Sequence, residues 1–248
     1  MKKVFGCFKN ECTKLFSRKK YYVFMIIEML ICFVTVCTKL ITLKLSGGNI
    51  TLSNVSTPLM VMSLFYSVII PFISIMAVCE LFASEFSDKT IRSVFSRPIE
   101  RYKVYIAKTA AVLFLAVINM AVVLLTSSAA DFLVSKRLVN FGYTVLAYMF
   151  DIAPMLIVIL MAVMINQFVK SSTMAMFLCI IVYAGISIAE IFIPSMSGLV
   201  FTGFMQWHKI WLGGGMPFMA VSFKALLLIG YGMIFGAIGY YIFRFKEC

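Results

Sequence analysis

Histidine is nearly missing from these 248 residues: His208 stands alone, beside Trp207. One imidazole cannot build a histidine-rich zinc site or an H-E-x-x-H protease, and a serine–histidine dyad would have to use His208 itself. Neither the nucleophile elbow G-x-S-x-G nor the phosphate-cradling G-x-x-x-x-G-K-[ST] occurs. The inventory points away from an enzyme, with no metal or cofactor site on this chain. If a nucleotide powers it, another chain holds that nucleotide. A lone histidine next to a tryptophan reads more readily as an interfacial residue than as a catalyst.

Charge is scarce too, at 13% of residues against about 25% in soluble domains. The formal net charge of +12 would suit nucleic acid if it lay on one polar face. It lies instead in short segments between apolar runs, the habit of membrane proteins, which argues against nucleic acid. The seven cysteines are odd in number and match no C-x-x-C pattern, so they read as free thiols. No cleavable leader is expected, because the first apolar run is too long for one and should stay as an anchor.

Apolar residues make up 62% of the chain, more than a soluble fold of this size can hide. A crossing takes about 20 residues, and six runs qualify: 21–42, 58–82, 105–130, 143–168, 173–193 and 224–243. The expected fold is an all-α polytopic membrane protein, a single transmembrane domain over 1–248. Residues 1–20 carry seven Lys or Arg against Glu11, with Phe5, Phe8, Cys12 and Leu15 at helical spacing. They read as an amphipathic helix in the headgroup plane. Residues 84–104 form a charged connection. The stretch 194–223 is broken by Pro194, Gly213 to Gly215 and Pro217, and reads as an outer or re-entrant segment with Trp207 and Trp211 at headgroup level. With both termini inside, sixteen of the 22 basic residues fall on the inner side, which sets the expected orientation.

Ionisable groups at bilayer depth need reasons. Glu28 lies in the first run and Asp151 in the fourth, three residues before Pro154, which would kink that helix. Both are candidates for a cavity or a subunit interface, or for structural pairing, Glu28 with Lys108 for example. Glu80, Asp131 and Glu190 lie near run ends, where snorkelling is cheap. Gly232 and Gly236, with Gly239 beyond, allow close helix approach in the last run, within the subunit or between subunits.

The connection after the second run holds the most information. Ser87 and Asp88 can cap a short helix whose Ile91, Val94 and Phe95 share one side, and Pro98 would end it. Such a helix suits docking to a partner protein. Together with Glu85, Thr90, Arg101 and Lys108 it resembles the signature of ABC-2 type transporter permeases: a glutamate, a Gly-Thr step, a short helix, a Pro-x-x-Arg turn and a lysine opening the third span. Lys89 stands where that pattern has glycine. The basic start from Asn10 to Lys20 looks like the family's elbow helix.

The resemblance implies a half-transporter in a bacterial plasma membrane. Two permeases, identical or paralogous, would bind two cytoplasmic ATP-binding cassette subunits, which carry ATP and Mg. Glu85, Asp88, Thr90, Ile91, Val94, Phe95, Pro98 and Arg101 would couple the two layers. Permeases of this size are similar to those of bacitracin-resistance and lantibiotic-immunity exporters, which remove antimicrobial peptides; others move sodium, drugs or lipids. The residues alone leave two other readings open: a stand-alone membrane immunity or binding protein, and an ion-coupled secondary carrier using Glu28 or Asp151.

Overall fold

The computed structural model describes residues 2–45, 57–83, 100–135, 140–169, 171–193, 198–212 and 217–245. Among them there is no strand, and six helices are long and apolar enough to cross a membrane: Lys19–Ile41, Pro58–Leu81, Arg101–Leu133, Phe141–Phe168, Ser172–Phe192 and Phe218–Phe245, called spans 1 to 6. Spans 2 and 4 each bury 61% of their apolar window against other helices, while spans 1, 5 and 6 bury 11–17%. Spans 2, 3 and 4 therefore form the protein core. The other three turn apolar side chains such as Phe33, Ile181 and Met233 outwards, as lipid permits and water does not.

The elbow helix, Lys2–Phe16, ends at a turn over Ser17 and Arg18, so Lys19 and Lys20 open span 1 rather than close the elbow. Span 3 is helical from Arg101, which takes residues 101–104 out of the charged connection. Span 6 begins at Phe218 rather than 224, because Pro217, which cannot continue a helix from its N-terminal side, serves here as a helix start. The Arg101 guanidinium donates to the carbonyl of Arg244, satisfying the C-terminal end of span 6. This contact and the elbow's packing bring the elbow and the close of span 6 to one end of the bundle, called the terminal end.

Two spans are interrupted. Span 4 breaks at Asp151, between helices Phe141–Phe150 and Ile152–Phe168. Pro154 then falls in the first turn of the second helix, where its missing N–H leaves no gap. Span 2 widens into a π-turn at Phe65–Ile69 just before Pro71. In an α-helix the N–H of residue 71 would bond the Ser67 carbonyl, and proline has none. Tyr183 of span 5 donates its hydroxyl to that carbonyl at 2.7 Å.

Span 6 lies along span 4 through its glycines. A Cβ on Gly232 would come within 3.0 Å of Ile157, one on Gly236 within 3.9 Å of Leu160, and one on Gly239 within 2.7 Å of the Tyr105 hydroxyl and 3.4 Å of the Met164 backbone. The glycines of this face thus meet neighbours within the subunit. Gly239→Val is expected to cost about 1–3 kcal/mol by overpacking, read as a lower thermal midpoint in detergent. Gly230→Ala, where nothing lies within 4 Å, should leave the midpoint nearly unchanged.

Candidate functional site

At the terminal end, the base of span 3 is tied to the elbow and to span 2 by one buried cation. Lys108 is 0% exposed; its Nζ lies 3.2 Å from Oε2 of Glu11 and donates to the Leu81 carbonyl at 2.8 Å. The ammonium also sits 5.8 Å from the Phe82 ring centroid. Glu11 is itself buried and keeps Lys14 at 3.0 Å. A charge pair out of water persists only when hydrogen bonds take up its remaining valence, and the Leu81 carbonyl and Lys14 do so here. The pairing of Lys108 with Glu28 suggested by sequence is therefore not made. Phe8 and Phe16 close over the contact by packing edge-on to Phe114. Burial, and after it the neighbouring Glu11 carboxylate, push the Cys12 thiol of the elbow up from its ordinary value, which keeps it an inert thiol.

Beside this junction, Glu80 near the end of span 2 accepts the Tyr21 hydroxyl at 2.6 Å and is paired with Arg18 at 3.4 Å and with Lys20. Leu81 is held by Lys108 and Glu80 by the elbow–span 1 turn, and the buried Phe82 and Ala83 follow them before the coupling stretch. Glu85, Asp88, Thr90, Ile91, Val94, Phe95 and Pro98 lie outside the described residues. Arg101 is described, and its partner is the end of span 6.

The carboxylates near run ends find partners within the subunit. Besides Glu80, Asp131 is nearly buried with Lys39 at 3.5 Å, and Glu190 accepts the Thr202 hydroxyl. Asp151, fully buried at the break in span 4, accepts the His208 backbone N–H at 2.7 Å on Oδ1, and Oδ2 lies 2.7 Å from His208 Nδ1. It thus opens the short helix His208–Leu212 and fastens the outer segment to span 4. His208 is a buried partner in that contact. Trp207 is buried as well and packs edge-on to Phe204, while Trp211 is 44% exposed and stacks on Phe150.

Glu28 is buried, and among the described residues neither of its carboxyl oxygens has a hydrogen-bond partner. A second polar node is Asn166, whose amide donates to the Ala162 carbonyl at 2.8 Å and to the sulfurs of Cys79 and Cys179 at 3.4 and 3.5 Å, joining spans 2, 4 and 5. No group of three or more metal-ligating side chains occurs among the described residues.

Between spans 1, 2 and 5 lies a cavity of about 430 Å³. Phe24, Ile27 and Ile31 line it from span 1, Val68, Phe72 and Ile73 from span 2, and Ile180, Ala184 and Ile188 from span 5. Ser67, Tyr183 and Ser187 supply its polar groups, and the π-turn forms part of its wall. Neither Glu28 nor Asp151 lines it. Pro71 inside an apolar run was the sequence signal for this wall, since a proline there must disturb the helix and free a carbonyl.

The geometry defines a six-span, all-helical membrane protein with an interfacial helix locked onto its core. The model of the ABC-2 family transporter proteins matches residues 7–185, from the elbow well into span 5, and the chain belongs to that family. It is thus the membrane subunit of an ABC transporter, a class of chain that associates with ATP-binding cassette subunits and is generally non-catalytic. A search of the curated proteins finds no match.

Proposed function

We propose that this chain is the permease half of an ATP-driven exporter that moves amphiphiles (an antimicrobial peptide, a drug or a lipid-like molecule) out of a bacterial plasma membrane. The apolar cavity between spans 1, 2 and 5 carries this reading, because its few hydroxyls among aliphatic and aromatic walls suit a ligand that is mostly hydrocarbon. In the proposal the terminal end faces the cytoplasm, where most basic flanks lie. Residues 84–99 dock on two cassette subunits that bind ATP and Mg. A second permease, identical or paralogous, covers the thinly buried faces of spans 1 and 5. Glu85, Asp88, Thr90, Ile91, Val94, Phe95 and Pro98 transmit the motion, and the Lys108 junction passes it to spans 2 and 3.

Filling the cavity tests the reading. Ala184→Trp is expected to lower amphiphile extrusion by about tenfold, some 1.4 kcal/mol, in cells whose membranes hold the same amount of protein; unchanged extrusion would remove the cavity from the path. A stand-alone immunity protein would still protect with a catalytically dead cassette partner. An ion-coupled carrier would stop when the ion gradient collapses, and with Asp151 taken up by His208 it would rest on Glu28 alone.

A further inference from the structure

A second cavity, of about 470 Å³, lies where the elbow helix meets the start of span 3. Phe5 and Phe8 wall it on one side, Ile106, Ala107 and Ala110 on the other, and Lys103 and Tyr102 stand on it toward the start of span 3. Phe5 is 68% exposed and Ile106 52%, so this side of the junction stays open although Glu11 and Lys108 lock the elbow down right beside it. The groove runs from a charged start to an apolar interior. An amphipathic helix like the elbow lies in the headgroup plane, and the groove lies between it and the first turns of span 3.

We infer that this groove holds one anionic phospholipid, with an acyl chain along Ile106, Ala107 and Ala110 and its phosphate at Lys103. The charge balance favours an anion: Lys9 follows the lining Phe8 in the elbow and Lys103 faces it from span 3, while the elbow's single acid, Glu11, is engaged by Lys108 and Lys14. Lys103 keeps Glu100 at 2.9 Å, but that carboxylate is 61% exposed. An exposed pair of this kind is weak, so a phosphate anchored by its own acyl chain can replace it. A lipid seated here wedges the elbow against span 3 next to Lys108, which also donates to the Leu81 carbonyl at the end of span 2. The composition of the leaflet thereby reaches the residues that flank the coupling stretch. The inference needs only the membrane fold and is independent of what the transporter moves.

Native mass spectrometry of the full-length protein, released from micelles doped with phosphatidylglycerol or phosphatidylcholine, tests it. Wild type is expected to retain one phosphatidylglycerol about tenfold more tightly than phosphatidylcholine, from the charges near the surface. Lys103→Glu should abolish that preference, and Phe5→Asp, at an exposed position that folding tolerates, should weaken retention of both lipids. Lys209→Glu, in the outer segment, should change nothing. Equal retention of both lipids by wild type, or a preference that survives Lys103→Glu, overturns the inference. So does displacement of the lipid by millimolar glycerol phosphate, because a free phosphate would then suffice and the groove would play no part.

Discussion

Lys108→Met is expected to destabilise the protein by about 3 kcal/mol, the lower end of the cost of breaking a buried pair, because Lys14 still compensates Glu11 in part. The substitution takes from Glu11, 1% exposed, its buried partner, leaves it the part-exposed Lys14, and removes the donor to the Leu81 carbonyl. Thermal unfolding in detergent should show a midpoint lowered by several degrees, with the elbow becoming sensitive to protease near Ser17 before the spans unfold. Removing both charges together, as Glu11→Gln with Lys108→Met, should return much of the loss, since a buried pair exchanged for neutral groups is often close to neutral in free energy. A double variant no more stable than Lys108→Met would mean that the Leu81 carbonyl, rather than the charge pair, governs the junction.

The second large effect belongs to the opposite end. Asp151→Ala removes two acceptors at once, one for the His208 ring and one for its backbone N–H, both at 2.7 Å in a buried site. The expected cost is about 2–4 kcal/mol, concentrated in the outer segment. The chain has only two tryptophans, and Trp207 and Trp211 flank His208. Their emission therefore reports this segment alone: Asp151→Ala should shift it to the red and expose it to quenchers well below the global midpoint. Asp151→Asn, which can still accept the backbone N–H, should do so less. Lys108→Met should leave the emission unchanged until the whole molecule unfolds. An Asp151→Ala protein with wild-type emission would show that the aromatic stacking of Phe150 and Trp211 suffices to hold the segment.

Much of this architecture is legible in the residues because a bilayer imposes one dominant requirement, an apolar run about 20 residues long. Six such runs, a basic amphipathic start and a broken segment before the last span follow from hydropathy and proline alone, and all six runs correspond to helices of sufficient length. Partner choice does not follow in this way. Glu11 and Lys108 are 97 positions apart, and Asp151 and His208 are 57; nothing local joins them, so Lys108 looked available to Glu28. Tryptophan's preference for interfaces concerns depth and says nothing of packing, so the burial of Trp207 within the outer segment does not follow from it. The glycines of span 6 were readable as a close-approach face, but the tightest point, Gly239 against Tyr105 and Met164, depends on the neighbouring helices. Pro71 within an apolar run could have pointed to the π-turn, but the hydroxyl that meets the Ser67 carbonyl comes from span 5, 116 positions away.

The central claim, that a cassette ATPase drives this chain through residues 84–99, is tested most directly by co-purifying the tagged permease with its cassette subunit and assaying ATP hydrolysis in lipid vesicles. The wild-type complex is expected to retain the subunit and hydrolyse ATP faster than the subunit alone. Phe95→Asp, with normal membrane insertion, should lose both the subunit and the stimulation. A Phe95→Asp complex that assembles and hydrolyses ATP like wild type would contradict the account.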